Sequence, residues 1–332
     1  MHKKTLWVLI IGCSAILAFI ISFTLQRQRA HYAREPKKVT VQLKWKHQAQ
    51  FAGIYAAKEK GFYKAAGLDV HIERGGPDRP PIANVLGGQA EFGVAGADDL
   101  LVAVSEGKPI KAIAAIYQEN PVVYFALKSS GIETPQDFIG KRVGVRKGTG
   151  TYYTYIAMLR NLGIDQKNII EVPADTSEIT PLLEKAVDVW PGFRTNEPKA
   201  AERMGYAVNL IKPEEFGVDI YADVLIARQR TIDEKHELVR AFVQATLKGW
   251  EWAVANQEEA VDITMQYVED STREIQQDML EETAVLVKRS SATKIGQINF
   301  SKWNRTYALL RQYGVISKDK DISATYTTEF LR

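Results

Sequence analysis

The chain has 332 residues, 45% of them hydrophobic and 25% charged, a length that predicts about two domains and a composition that excludes disorder and fibres. Lys and Arg number 43 against 40 Asp and Glu, a formal charge of +3, so no polyanion-binding surface is implied and nucleic acid is not an expected partner. The single cysteine, Cys13, rules out an intramolecular disulfide, a zinc finger and any mechanism that needs paired thiols.

Residues 6–25 form an uncharged, mostly apolar run preceded by Lys3 and Lys4, and as a helix it would span about 30 Å, the thickness of a hydrocarbon core. The run exceeds a secretory signal core, and before Ala30 and Ala33 the −3 positions are Gln28 and His31, which is not a small-x-small cleavage site. An uncleaved membrane anchor over 6–25 is the favoured reading. A second reading takes Ile10, Ile11, Gly12 and Cys13 as a lipobox with an acylated thiol; a third takes Cys13 as a small residue in a membrane helix. Arg27, Arg29, Arg34, Lys37 and Lys38 outnumber Lys3 and Lys4, and that count alone would keep the following domain cytoplasmic.

After the basic linker, short apolar runs alternate with longer amphipathic stretches, the signature of an α/β chain. Strands are expected at 39–43, 70–72, 92–95, 110–116, 123–127, 142–145, 169–172, 187–190, 208–211 and 224–227. Helices are expected at 52–66, 81–87, 98–106, 151–162, 178–185 and 197–204. Strand then helix, repeated, predicts mostly parallel sheets. From residue 233 onward the pattern is helical, over 237–256, 258–268, 273–287 and 301–313. Two βα halves with a helical tail predict two lobes with a ligand between them, because open α/β sheets bind ligands at the carboxyl ends of their strands.

The segment VQLKWKHQAQFAGIYAAKEKGFYKAAGLDVHI from Val41, with GQAEFGVAGADDLL from Gly88, GKP from Gly107, IAAIYQENP up to Pro121, and DVWPGFRTNEP from Asp188, resembles the solute-binding proteins related to fungal thiamine-pyrimidine synthase and to the aromatic-sulfonate and pyrimidine receptors of ABC importers. The resemblance covers about residues 39 to 315. It implies a type II periplasmic binding fold: residues 39–126 plus 223–332 as the first lobe with its helical tail, residues 127–222 as the second, and 1–38 as anchor and linker. The crossings between lobes would fall near 124–128 and 219–226. The implied partners are an ABC permease and its ATPase, and the domain would be extracytoplasmic on a single N-terminal anchor. That reading overrides the charge count around the anchor, and a lone cysteine suits an envelope location.

In this family the loop after the first strand sets an aromatic platform and polar groups against the ligand ring; here it carries Trp45, His47 and Gln50. A flat aromatic beside a donor and an acceptor suits a heterocycle, although a core-capping Trp45 and a solvated His47 are the plainer alternatives. Gly96 and Asp98 open a helix after a strand, as ligand contacts or as an ordinary cap. Gln118 and Asn120 follow another strand, as an amide readout or as a turn before Pro121. Gly148, Thr149 and Tyr152 form a Gly-rich strand-to-helix turn that lacks the full nucleotide motifs. Trp190, Asn196 and Glu197 put an aromatic, an amide and a carboxylate at one strand end. In pyrimidine-binding relatives a glutamate there pairs with the ring's amidine-like edge, a charge-assisted contact; a first-turn acid favoured by the helix dipole is the alternative. Tyr221 and Asp223 in the second crossing complete the set.

No two of the five histidines stand four residues apart as in an HExxH pair, so no metal site is expected, and no GxSxG elbow is present. The synthase relatives use pyridoxal phosphate, their own histidine and a cysteine-rich iron motif in the second half. Here that stretch holds no cysteine, and Lys60 alone matches a lysine position of those enzymes. The sequence therefore reads as a binding protein without cofactor for a small aromatic heterocycle, a thiamine-pyrimidine precursor before other flat rings such as a flavin. A pyridoxal-phosphate synthase and the input module of a sensory system are the alternatives. The acidic residues expected at the cleft favour a neutral or amine-bearing ligand over a sulfonate.

Overall fold

The computed structural model describes residues 35–331 except 77, 175, 177 and 318–320. The chain divides into two units, Met1–Lys37 and Lys38–Arg332, and the second is described below. The expected anchor and Cys13 lie outside the described residues. Among the described residues no helix is long and apolar enough to cross a membrane.

The elements run β1 (Lys37–Gln42), a 3₁₀ turn (Ala49–Phe51), α1 (Ala52–Glu59), α2 (Phe62–Ala65), β2 (Leu68–Glu73), α3 (Pro81–Gly87), β3 (Phe92–Gly96), α4 (Ala97–Ser105), β4 (Ile110–Ala115), β5 (Val122–Leu127) and β6 (Arg142–Val145). Then follow α5 (Gly150–Asn161), β7 (Ile170–Pro173), α6 (Thr180–Leu183), β8 (Trp190–Phe193), α7 (Glu197–Arg203), β9 (Val208–Ile211), a 3₁₀ turn (Pro213–Phe216) and β10 (Asp223–Arg228). The tail is α8 (Gln229–Glu234), α9 (His236–Ala255), α10 (Gln257–Thr264), α11 (Arg273–Val287) and α12 (Phe300–Gln312).

The first sheet has the order β2-β1-β3-β10-β4. In it β1 and β3 are parallel, and β10 is antiparallel to both β3 and β4. In the second half, β5 lies between β8 and β9, antiparallel to both, while β6 and β7 pair in parallel. A bridge from Val143 to Val189 and a bond from Gly144 N to Val189 O (2.8 Å) join the two ladders in the order β7-β6-β8-β5-β9, which repeats the first sheet element for element.

In each sheet the antiparallel strand is the one delivered by a passage from the other: β5 after residues 116–121, and β10 after residues 212–222. The expectation of a first crossing near 124–128, with residues up to 126 in the first half, is thereby corrected. All of β5 pairs in the second sheet, and its six residues VVYFAL are buried on both faces, as a central strand requires. The sheets are mixed rather than mostly parallel for the same reason.

Edge and centre are legible in burial. Edge strand β2 alternates buried and exposed positions, whereas β3 is buried throughout. The stretch expected as one helix over 52–66 is broken by Gly61 at φ 74°, a left-handed conformation that glycine adopts without steric cost. Helix α9 lies directly on α1. A β-carbon on Gly249 would fall on the Gly53 carbonyl oxygen and stand 2.6 Å from Ala57 Cβ, so the two backbones touch without side chains between them. One apolar cluster runs from Leu100 and Leu101 in α4 through Trp303 and Leu310 in α12 to Tyr155 and Met158 in α5, and so joins the two sheets.

Candidate functional site

The carboxyl ends of β1, β3 and β4 and the amino end of the antiparallel β10 meet at one edge of the first sheet, which brings Lys44, Gly96, Asp98, Tyr117 and Asp223 together. Asp223, 1% exposed, accepts from Lys44 Nζ at 2.8 Å and from Gln50 Nε2 at 2.6 Å. Gln48 Nε2 in turn donates to Gln50 Oε1 at 2.6 Å, a chain of groups that fixes the Gln50 amide. Burial opposes the Lys44 charge, but Asp223, its hydrogen bond and the nearby Asp98 and Asp99 outweigh it, and the ammonium titrates above its ordinary value. The Asp99 carboxyl is pushed up to about 6 by desolvation and by Asp98 beside it, with Lys44 pulling the other way.

Trp45 is 44% exposed, one residue beyond Lys44. His47 Nδ1 lies 3.0 Å from Tyr55 Oη, and burial lowers its imidazole below the ordinary value against the pull of Glu269. Tyr55 stacks on Tyr267 at 4.4 Å, with the His47 ring 5.8 and 5.7 Å from the two. Sequence reasoning missed this aromatic trio because Tyr267 comes from the tail.

On the second sheet the loop after β6 supplies Arg146, Gly148 and Thr149. Thr149 caps α5 by accepting from Tyr152 N, while its hydroxyl donates to Arg146 O at 2.7 Å. Gly148 holds φ 81°. The Tyr152 hydroxyl accepts from Gln166 Nε2 at 3.0 Å. Glu197, 7% exposed, accepts from Arg146 Nη2 at 3.1 Å and from Phe193 N at 2.8 Å, so both its oxygens have partners within the chain. Asn196 stands at the N-cap of α7, and its Oδ1 is buried with no hydrogen-bond partner among the described residues.

The two sheets approach across this space. Lys44 Nζ lies 5.9 Å from the Phe193 ring centroid. Asp98 leans onto the amino end of α5: a β-carbon on Gly150 would fall on Asp98 Oδ2 and stand 3.0 Å from its Cγ. A carboxylate there complements the partial positive charge of the helix terminus.

Four expected ligand contacts have other work. Trp190, 1% exposed, packs in the second sheet's core with Phe125, Leu182 and Val187, so it offers no face to the cleft. The Tyr221 hydroxyl donates to Gln297 O (3.3 Å) and accepts from Asn299 N (2.9 Å), on the side of α12. Gln118 Nε2 donates to Ala115 O and Gln297 O. Asn120 Oδ1 accepts from Val122 N at 2.9 Å and starts β5, the turn role. Lys60 sits beyond the far end of α1, where its ammonium pairs with Glu259 at 2.8 Å and covers the Trp252 ring at 4.7 Å. An amine so engaged, at the opposite end of α1 from the strand termini, does not fit a pyridoxal-phosphate site. Among the described residues no cluster of His, Cys, Asp and Glu could hold a metal.

The model of the NMT1/THI5-like family matches residues 48–260. The chain is 25% identical over 305 residues to the "Riboflavin-binding protein RibY" of Chloroflexus aurantiacus, covering 89% of this chain and 86% of that protein. It is 24% identical to the "Formylaminopyrimidine-binding protein" of Halalkalibacterium halodurans, over 81% of this chain and 82% of the relative. It is 25% identical to a "4-amino-5-hydroxymethyl-2-methylpyrimidine phosphate synthase" of Legionella pneumophila, over 89% and 92%. Among solved structures it is similar to the periplasmic aliphatic sulphonate binding protein SsuA from Escherichia coli, with a TM-score of 0.71 at 14% identity over 87% of this chain and 97% of that one. The fold is the mixed α/β fold of periplasmic binding proteins.

Proposed function

The chain belongs to the NMT1/THI5-like family, and from that premise we propose that it is the extracytoplasmic binding component of an ABC importer, capturing a small aromatic heterocycle of the thiamine-pyrimidine precursor type, formylaminopyrimidine or hydroxymethylpyrimidine. The observation that carries the ligand's polarity is the charge pairing in the cleft. Lys44 is engaged by Asp223 and Arg146 by Glu197, while Asp98 stands at the α5 terminus where an acidic ligand group would otherwise sit. Such a cleft opposes an anion by like-charge repulsion and favours a neutral or amine-bearing ring. Trp45 is the aromatic surface available for stacking. The same reading anchors the chain through residues 6–25, with acylation of Cys13 as the other attachment, and assigns an ABC permease and ATPase as partners.

A flavin is the second ligand reading, because a relative 25% identical to this chain is named for riboflavin. The synthase reading has a relative as well, but Lys60 is ill placed for it. Co-purification with a permease, rather than with a histidine kinase, separates import from sensing.

The deciding experiment is a thermal-shift screen of the full chain in detergent against formylated and hydroxymethyl aminopyrimidines, thiamine, riboflavin, benzenesulfonate and pyridoxal phosphate. A ligand at 100 times its dissociation constant adds about 2.7 kcal/mol. A shift with the pyrimidines alone is expected. A shift with riboflavin alone moves the ligand to the flavin, and one with pyridoxal phosphate alone overturns the binding-protein reading.

A further inference from the structure

Away from the cleft floor, one buried cation sits where both passages and both sheets meet. Arg194 directly follows β8, its backbone N–H donates to Pro121 O at 2.9 Å, and its side chain is 6% exposed. Three carboxylates surround the guanidinium: Glu119 at 3.5 Å, Glu282 at 3.4 Å and Glu214 at 3.8 Å. Each belongs to a different part of the fold. Glu119 is in the first passage. Glu214 is in the 3₁₀ turn Pro213–Phe216, which packs on α5 and β5 of the second sheet's half. Glu282 is on α11, which is held to the first sheet's half: Gln276 Oε1 accepts from Ala49 N at 2.7 Å, and Thr283 Oγ1 lies 3.3 Å from Tyr117 Oη.

The cluster is buried yet incompletely bonded. Arg194 Nε and Glu214 Oε2 have no hydrogen-bond partner among the described residues, and the ion contacts to Arg194 are long for charge-assisted bonds. A guanidinium has five donors in a rigid fork, more than one carboxylate can use, so it can turn among acceptors. Glu119 has a second cation, Arg289 Nη1 at 3.0 Å, and Glu282 a second one in Lys199 at 3.5 Å; Glu282 is also 28% exposed, so water can take it up where the cations leave it. Beside the cluster, Arg203 on α7 pairs with Asp278 on α11 at 2.9 Å. With Lys199 and Glu282 this makes two rungs between helices of opposite halves. Both rungs are partly exposed, so salt screens them and each contributes little.

We propose that Arg194 is the latch of the cleft: its contact with Glu282 holds the two halves closed, and on opening it gives up Glu282 while keeping Glu214 and Glu119. The contact to Glu282 joins opposite halves and that to Glu214 stays within one; Glu119 lies at the joint itself, its N–H bonded to Leu286 O of α11 at 3.1 Å while Pro121 O, two residues on, accepts from Arg194 N at 2.9 Å. Opening by this route keeps the buried guanidinium paired and releases only Glu282, which is already 28% exposed and passes to water, as a buried ion cluster at a moving joint requires.

The test is amide hydrogen exchange on the full chain in detergent, without ligand, for the wild type and the variants Glu282→Gln, Glu282→Asp and Glu214→Gln. Glu282→Gln is expected to speed exchange at Ala97–Asp99 and Gly150–Thr151 by about threefold or more while leaving the central strands protected. Glu282→Asp restores the wild-type rates, and Glu214→Gln lowers the melting temperature without opening the cleft selectively. Arg194→Lys keeps the charge but loses the fork, and is expected to open the same amides to a smaller degree. Unchanged cleft exchange in Glu282→Gln, or equal opening by Glu214→Gln, overturns the latch and leaves a plain structural ion cluster.

Discussion

Asp98 and Gly150 meet across the cleft so closely that a β-carbon on the glycine would fall on the Asp98 carboxylate. Gly150→Ala therefore forces either Asp98 or α5 to move. Overpacking of this kind costs about 1–3 kcal/mol, and here the cost falls on the closed arrangement rather than on either sheet. The expected outcome is weaker ligand binding by isothermal titration with a melting temperature close to wild type. An equal loss in both would place the strain within one half instead.

The raised Asp99 carboxyl has a pH signature. It titrates at about 6 in the folded chain against an ordinary value of 3.8, so between those values the folded state holds more protons than the unfolded one. Its contribution to stability is present below that window and is lost as pH rises through it. Asp99→Asn removes the effect, so the melting temperature of the variant minus that of the wild type should grow from pH 4 to pH 7. Asp99 keeps solvent access, which holds the change small. A difference that stays flat with pH would contradict the assignment.

Asp223 binds both Lys44 and Gln50, and removing it leaves a desolvated ammonium. Asp223→Asn is expected to cost about 3 kcal/mol in urea unfolding. Lys44→Met in the Asp223→Asn background should cost less than the two single changes added, because the stranded charge is then gone. Strict additivity would mean the pair does not interact.

Gly249 faces the Gly53 carbonyl in the α1–α9 contact. Backbone cannot yield as a side-chain end can, so Gly249→Ala should lower unfolding free energy by about 2–3 kcal/mol or more, against a slight gain expected of the same change in an open helix. Circular-dichroism melting distinguishes the two.

Much of the fold was legible in the sequence, because strand and helix signals are local. All ten expected strands occur in order, and the tail helix expected over 273–287 is α11 to the residue. Strand β8 begins three residues later than expected, because it contains Pro191 and Gly192, residue types that local strand preference disfavours. Helix α6 is short because Lys185 turns to φ 58°. What could not be read was non-local. Nothing in VVYFAL says which sheet it joins, and that misplaced the first crossing. Lys44 and Asp223 lie 179 positions apart, and Arg146 and Glu197 lie 51 apart, so the partners that occupy the expected site residues emerge only with the fold. Trp190 shows the same limit: its position in the motif was legible, but the side of the sheet it faces was not.

The exchange of strands between sheets also sets an order of assembly during synthesis. The second sheet draws on one continuous stretch, β5 through β9, and every strand it needs has left the ribosome by Ile211. The first sheet, although its chain is made earlier, has a gap between β3 and β4 until Asp223–Arg228 arrives to fill it. The half that begins first is therefore completed last, and until then it presents two unpaired central edges to whatever protects a nascent chain.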